Sequence, residues 1–272
     1  NKDWRVGVYF NIAHNENKIT EMPDNYIEEN YTFGNGNYAY RREEGRPMGS
    51  FYGYRYKGVY QNKDATYARD IEGNVMKDIS GNAIVMRNGS YTVAPGDAIY
   101  EDVNHDGVIN QYDIVYLGNS NPRLTGGAGL NVSYKQFKLS AIFYGRYGQD
   151  VVNATRLNNE SMRGIDNQST AVLRRWRNEG DQTDIPRALY GEGYNTLGSD
   201  RFVEDASYLR LKSLSFTYRL PKKAIQRWGF NNIDVYVTGY NLFTWTKYTG
   251  QDPEVKTENT YARDTATTPA SI

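Results

Sequence analysis

The sequence of 272 residues lacks cysteine, has only two histidines and contains no long apolar run. The absence of cysteine excludes disulfides, zinc–thiolate sites and a cysteine nucleophile. His14 and His105 stand far apart and each is isolated, so we expect no histidine-based catalysis. No segment reaches the ~20 consecutive apolar residues of a membrane-spanning helix. The sequence is still compatible with a transmembrane β-barrel, because each strand of such a barrel has only one apolar face.

The sequence also lacks net charge, since 32 basic and 32 acidic residues cancel. A neutral chain gives no electrostatic reason to expect nucleic acid as a partner. No glycine-rich stretch precedes a helix as a phosphate-binding loop requires, and no nucleophile–base pairing stands out. Carboxylate pairs of the glycosidase kind are allowed by the number of acids, but none falls in a recognisable arrangement. We therefore predict no catalytic residues and no enzyme activity.

Tyrosine is the residue in excess, with 25 tyrosines beside 9 phenylalanines and 4 tryptophans. Tyrosine is favoured where one end of the ring is in apolar surroundings and the other in water, as at membrane interfaces and at glycan- or partner-binding surfaces. One predicted set would form aromatic girdles at the membrane interfaces: Trp4, Tyr134, Tyr147 and Tyr218. A second set would stack on sugars or, as we prefer, pack the loops together: Tyr52, Tyr54, Tyr56, Tyr190 and Tyr194.

Five segments alternate apolar and polar residues with the two-residue period of a β-strand. They are residues 4–13, 127–134, 137–147, 213–218 and 233–238. Short connections, 135–136 and 220–230, alternate with long ones, 15–123 and 148–206. This alternation is typical of outer-membrane barrels, whereas a sandwich usually has short links at both ends. We predict an all-β fold, an antiparallel transmembrane β-barrel with long extracellular loops; a soluble sandwich is the alternative.

Two local structures are predicted within the long connections. Residues 49–60 alternate like a strand and are expected to form one strand that extends the barrel wall. Ser169 precedes the stretch 171–176 and is expected to cap a short helix there.

Residues 102–113 carry the spacing of a calcium-binding loop. Oxygen-bearing side chains fall at the first, third, fifth, ninth and twelfth places, and Gly107 occupies the sixth. The predicted ligands are the side chains of Asp102, Asn104, Asp106, Asn110 and Asp113 and the backbone carbonyl of Val108. His105, at the fourth place, is expected to be solvated. The alternative is an Asx-rich turn without metal; a bound Ca²⁺ would be structural and would hold a long loop in place.

Five stretches together resemble one family, the SusC-like TonB-dependent outer-membrane transporters, which are nutrient importers paired with SusD-like surface lipoproteins. The stretches are residues 47–54, 95–110, 117–127, 204–214 and 239–248, and they follow the order of the family. The resemblance implies that residues 1–272 form the C-terminal portion of a barrel of about 22 strands, a size class whose lumen is plugged. The plug, the TonB-contacting segment and the last strand are expected to lie outside this sequence.

The resemblance implies import of an oligosaccharide or peptide across the outer membrane, driven by TonB through the plug and assisted by a SusD-like lipoprotein. Residues 15–123 become a long extracellular loop that carries the calcium motif. Polar side chains on the lumen face are expected to contact the plug or to line the transport path: Arg5, Lys138, Tyr144, Arg146 and Tyr236. The alternatives are a secreted calcium-stabilised β-domain that binds glycans or proteins and, less favoured, an extracellular glycosidase.

Overall fold

The computed structural model describes residues 3–22, 38, 43–254, 257–258 and 261–264. The chain divides into two compact units. The first, called the sheet unit, comprises Asn1–Glu16, Asn121–Gln149 and Asp205–Tyr248. The second, called the loop unit, comprises Asn17–Ser120, Asp150–Glu204 and Thr249–Ile272. Within the described ranges no helix is long and apolar enough to cross a membrane.

Strands dominate the secondary structure. The strands are β1 (Trp4–His14), β2 (Ser50–Gly53), β3 (Tyr56–Val59), β4 (Arg87–Asn88), β5 (Tyr91–Thr92), β6 (Ala98–Tyr100), β7 (Val115–Asn119), β8 (Leu124–Tyr134), β9 (Phe137–Tyr147), β10 (Asp150–Asn153), β11 (Val203–Asp205), β12 (Tyr208–Arg219), β13 (Asp234–Thr246), β14 (Thr257–Glu258) and β15 (Tyr261–Asp264). The α-helices are α1 (Ala154–Asn159) and α2 (Lys222–Ile225). Short 3₁₀ helices span Asp64–Thr66, Gln111–Asp113, Thr170–Arg174, Tyr194–Thr196, Asp200–Phe202 and Gln226–Trp228.

The sheet unit is one five-stranded sheet in the order β1-β8-β9-β12-β13. Every neighbouring pair is antiparallel, and β8 and β9 are joined by the predicted two-residue turn. All five predicted strands are therefore confirmed. β12 and β13 are longer than predicted, because the pairing shifts register between Leu211 and Ser213. Asn241 on β13 has a φ of 50° at this irregularity, so the apolar–polar alternation slips by one residue there.

The register gives the sheet one apolar and one polar face. Val8 pairs with Leu130, and Leu130 with Ala141, so these three side chains share the apolar face. The apolar face is bare in the sheet unit, where Val8 is 69% and Phe10 80% exposed. The opposite face carries the alternating residues, for example Asn131, which accepts a hydrogen bond from the Ser140 hydroxyl at 2.8 Å. Exposed apolar residues grouped on one face mark a surface for a partner or for lipid.

Aromatic residues form a row across one end of the apolar face. Trp4 pairs with Tyr134, and their rings lie 4.4 Å apart. Phe137 continues the row to Tyr218, at a ring distance of 4.9 Å. Tyr147 lies at the opposite end of β9. The four predicted girdle residues therefore lie at the two ends of the strands.

The strand length matches a membrane. β1, β8 and β9 each have 11 residues, which at ~3.4 Å per residue and a tilt of ~45° rise by ~26 Å. The apolar band of outer-membrane barrels is ~25 Å tall. The sheet therefore has the dimensions of one section of a barrel wall.

The loop unit contains the short strands. They form a four-stranded sheet, β11-β10-β15-β14, and the pairs β2-β7, β3-β6 and β4-β5. The prediction of a single strand over residues 49–60 is wrong, because β2 and β3 pair with different partners, and neither belongs to the five-stranded sheet. The chain breaks where a Cβ at Gly53 would collide with the carbonyl oxygen of Gly198. Tyr54 then donates its backbone N–H to that same carbonyl at 2.8 Å.

Tyrosines build much of the core of the loop unit. Tyr52, Tyr54 and Tyr194 are buried, which confirms the packing role for these three. Tyr100 lies between them, with its ring 5.6 Å from Tyr54 and 5.4 Å from Tyr194. Tyr190 is 77% exposed, so the packing prediction is wrong for that residue.

The predicted cap at Ser169 is confirmed. Its side chain accepts a hydrogen bond from the backbone N–H of Ala171, and the helix that follows is the 3₁₀ helix Thr170–Arg174. The helix is shorter than the predicted stretch because Arg175 has an extended ψ of 154°.

Candidate functional site

The calcium-type loop lies in the loop unit, where it follows β6 and ends with the 3₁₀ helix Gln111–Asp113. The chain turns sharply at its centre, where His105 has a φ of 56° and Gly107 a φ of 79°. Glycine adopts this left-handed conformation readily, which explains its presence at the sixth place. Nδ1 of His105 lies 3.3 Å from the carbonyl oxygen of Arg69. His105 is thus occupied away from the predicted ligands.

The first three predicted ligands converge on one another. Asp102 accepts hydrogen bonds from the backbone N–H of Gly107 at 2.8 Å and of Asp106 at 3.2 Å. The Asn104 amide donates to the Asp106 carboxylate at 2.9 Å. The other carboxylate oxygen of Asp106 accepts from the backbone N–H of Val108 at 2.8 Å. Hydrogen bonds therefore join the first, third and fifth places within one turn.

Asp113 ties the two ends of the loop together. One carboxylate oxygen accepts from the backbone N–H of Val103 and the other from that of Asn110, both at 2.8 Å. Asn110 in turn caps the 3₁₀ helix through Tyr112 N–H at 2.8 Å, which completes a capping box. The Asn110 amide also donates to the Val108 carbonyl at 3.1 Å. Asp113 is completely buried, and its two hydrogen bonds hold the ends of the loop together in this conformation.

Negative charge accumulates in the loop. Burial and the nearby carboxylates of Asp102 and Asp106 raise the pKa of Asp113, although two backbone N–H groups oppose the shift. Across the described ranges no group of three or more His, Cys, Asp or Glu side chains is arranged to hold a metal. The predicted donor set includes three carboxylates, Asp102, Asp106 and Asp113, which this conformation does not gather into such a group. The full set adds amide and carbonyl oxygens. Such hard oxygen donors are the ligands that Ca²⁺ takes.

The loop is attached to the core behind it. Ile109 is fully buried in the tyrosine-rich cluster. Its backbone N–H donates to the Arg87 carbonyl at 2.7 Å, and its own carbonyl accepts from the Asn88 amide at 2.7 Å. Whatever stiffens the loop therefore also stiffens the packing around β4. This placement fits a structural role.

A buried ion pair next to the loop was not predicted. Asp97 is completely buried and accepts from Arg187 Nε at 2.7 Å, from the Tyr91 hydroxyl at 2.7 Å and from the Ala94 backbone N–H at 2.8 Å. The Asn195 amide is the fourth residue to donate to Asp97, at 3.2 Å. The hydrogen bonds and charge of Asp97 raise the pKa of Arg187. The partners lie about 90 residues apart in the sequence, and no local pattern signals the pair.

No family model matches the chain. It is 32% identical over 266 residues to TonB-dependent receptor P3 of Formosa agariphila, a match that covers 95% of this chain and 24% of that receptor. It is 28% identical to TonB-dependent receptor SusC of Bacteroides thetaiotaomicron, covering 94% of this chain and 22% of SusC. The chain also superposes on the RagAB peptide importer in its closed-closed state with a TM-score of 0.66 and 26% identity, covering 97% of this chain and 26% of the other.

The chain is homologous to a portion of SusC-like TonB-dependent receptors. It spans about a quarter of the length of the curated relatives that it matches. The predicted fold, part of a large antiparallel β-barrel, is confirmed for this receptor portion. The names of its relatives denote receptors and an importer, and none of them denotes an enzyme.

Proposed function

We propose that the complete receptor imports a nutrient across the outer membrane in a TonB-dependent way, with this chain as the C-terminal part of its barrel. The observation that carries the proposal is the bare apolar face of the five-stranded sheet, with aromatic residues at its ends. On this view the face contacts lipid, the polar face lines the lumen, and residues 15–123 form an extracellular loop. TonB acts on a plug encoded elsewhere in the receptor, and a SusD-like lipoprotein covers the entrance.

The nutrient is an oligosaccharide or a peptide. The similarity to a peptide importer supports a peptide, and the similarity to SusC leaves the oligosaccharide open. A secreted calcium-stabilised domain is the competing function. The apolar face disfavours it, because soluble monomers rarely expose a contiguous apolar patch larger than a few hundred Å².

Uptake by cells tests the import proposal. We expect cells that express the complete receptor with its neighbouring lipoprotein to take up labelled oligosaccharides or peptides, and to lose uptake when TonB is deleted. The receptor should extract from membranes only with detergent and should co-purify with the lipoprotein. Recovery of the intact receptor from the soluble fraction, or uptake that is independent of TonB, would contradict the proposal.

We also propose that residues 102–113 bind one Ca²⁺ through the side chains of Asp102, Asn104, Asp106, Asn110 and Asp113 and the carbonyl of Val108. The support is the twelve-residue spacing, the hydrogen bonds that join the first, third and fifth places in one turn, and the negative charge around Asp113. Both oxygens of Asp113 already bind backbone N–H groups, but each keeps a further lone pair. The ion would stabilise the loop and the core that Ile109 joins.

Chelation tests the calcium proposal. Calcium at about 100 times its dissociation constant stabilises a folded protein by about 2.7 kcal/mol, so EDTA should lower the unfolding temperature of the receptor by several degrees. Asp106→Asn should abolish most of this response, because it removes a ligand charge while an amide oxygen can still accept the Val108 N–H. The matched control is Asp70→Asn, because Asp70 makes a similar turn with the N–H groups of Glu72 and Asn74. Counted from Asp70, however, the sixth place has no glycine and the twelfth has no carboxylate.

Differential scanning calorimetry with and without EDTA, at fixed magnesium, measures the effect. The control should respond to EDTA as the unmodified receptor does. If Asp106→Asn and Asp70→Asn responded equally to EDTA, the stabilising ion would bind elsewhere. If EDTA did not change the unfolding temperature of the unmodified receptor, the proposal that the loop binds calcium would be wrong.

A further inference from the structure

A polar cavity of about 530 Å³ lies in the loop unit at the end of α1. Its polar lining comes from the last helical residues, from the segment that follows and from Thr196: Asn158, Asn159, Ser161, Arg163, Asp166, Asn167 and Thr196. No aromatic ring lines it, so it is not built to stack a sugar. Its most distinctive group is the guanidinium of Arg163.

Arg163 is partly buried and has no acidic partner. Two other arginines of the loop unit pair closely with acids: Arg201 with Glu160 at 2.8 Å and Arg187 with Asp97 at 2.7 Å. In the part of the chain that the structure describes, the side chain of Arg163 makes neither an ion pair nor a hydrogen bond, and its Nε is out of reach of solvent. A half-buried charge without a partner is costly, so an anion at this place would stabilise the fold.

The backbone beside Arg163 is held in an unusual conformation. Met162 has a φ of 49°, which is uncommon outside glycine. Its side chain is locked in an apolar cluster with Val172 and Ile185. The carbonyl of Arg163 accepts the N–H of Gly191 at 2.9 Å, which fixes the next residue as well. Strain that is maintained by surrounding packing often marks a binding site. Here the fixed backbone at Met162 positions Arg163 in the cavity wall.

We propose that this cavity binds an oxyanion, a carboxylate or a sulfate, carried by the imported nutrient. The planar guanidinium can bind two oxygens of such a group at once, and the Asn158 and Asn159 amides can donate to the same ligand. Asp166 adds one exposed negative charge to the lining and is not ion-paired with Arg163. It therefore weakens the binding of any anion. The proposal rests on the import function, since it names a chemical feature of the nutrient.

Matched charged and neutral probes test the site in the complete receptor. By isothermal titration calorimetry, we expect N-acetyl-dialanine to bind at least tenfold more tightly than its neutral C-terminal amide. We likewise expect glucose 6-sulfate to bind at least tenfold more tightly than glucose. The first pair tests a carboxylate and the second a sulfate. Arg163→Gln should remove the preference, Arg163→Lys should reduce it, and Asp166→Asn should strengthen binding of the charged probe. Arg174→Gln is the control, because Arg174 is exposed and lies outside the cavity.

Equal binding of charged and neutral probes, or unchanged binding by Arg163→Gln, would overturn the proposal. If Arg163→Gln fails to fold, Asp166→Asn still decides, because it changes only the charge of an exposed side chain; unchanged affinity for the charged probes then counts against the site. Uptake by cells separates this proposal from the import function. Normal TonB-dependent uptake without charge preference overturns the anion site alone, whereas selective binding without uptake overturns import alone.

Discussion

Asp97→Ala in the complete receptor is expected to lower the unfolding free energy of the loop unit by about 3 kcal/mol. Breaking a buried ion pair by removing one partner typically costs about 3–5 kcal/mol, because the remaining charge is left uncompensated. The lower end applies here, since the Arg187 side chain is 32% exposed and can reach water. The Tyr91 hydroxyl and the Ala94 N–H lose their acceptor at the same time.

Two variants separate charge from packing in this prediction. Asp97→Asn keeps an oxygen acceptor but removes the charge, so its cost should lie between that of Asp97→Ala and zero. Asp64→Ala is the control, because Asp64 is exposed and its side chain makes no hydrogen bond or ion pair within the described residues. Such surface changes usually stay within about 0.5 kcal/mol.

Thermal unfolding and limited proteolysis of the detergent-solubilised receptor measure the effect of these variants. We expect the loop unit of Asp97→Ala to become sensitive to protease at lower temperature, with the control unchanged. If Asp97→Ala and Asp64→Ala behaved alike, the buried pair would contribute nothing to the stability of the loop unit.

The sheet was predictable and most of the loop unit was not, for a physical reason. Each strand of the sheet has one apolar and one polar face, so period-two alternation records the environment residue by residue. The pattern fails at the irregularity around Lys212 and Asn241, where an added residue changes the face. The ends of β12 and β13 were therefore missed.

Tertiary contacts decide the rest of the candidate site. The twelve-residue spacing of the calcium-type loop is local, so it could be found in the sequence. The partners of Asp97 lie up to 98 residues away, and those of Tyr54 include the backbone of Gly198. The break between β2 and β3 follows from the close approach of the Gly198 backbone. The apolar–polar alternation within residues 49–60 cannot reveal that contact. The cavity of Arg163 depends in the same way on Thr196 and on the cluster that holds Met162.

Val8→Arg is expected to cost about 2–4 kcal/mol of folding free energy and to reduce the amount of folded receptor in the outer membrane. Arginine on the lipid face near the middle of a barrel strand has this cost, because no water reaches the charge there. Val8 is the fifth of the 11 residues of β1, and it pairs with Leu130 on the apolar face. The cost should fall towards the strand ends, so Ile12→Arg should be milder.

Gly7→Arg is the matched control for Val8→Arg, because it adds the same charge one residue away on the polar face. A Cβ at Gly7 would meet no atom within 4 Å, so the substitution has room. We expect Gly7→Arg to insert and fold nearly as the unmodified receptor does. The folded fraction can be read from electrophoretic mobility before and after heating, and from the yield in outer-membrane preparations. Equal losses for the two variants would mean that the apolar face does not contact lipid, and the orientation of the sheet within the barrel wall would have to be reversed or abandoned.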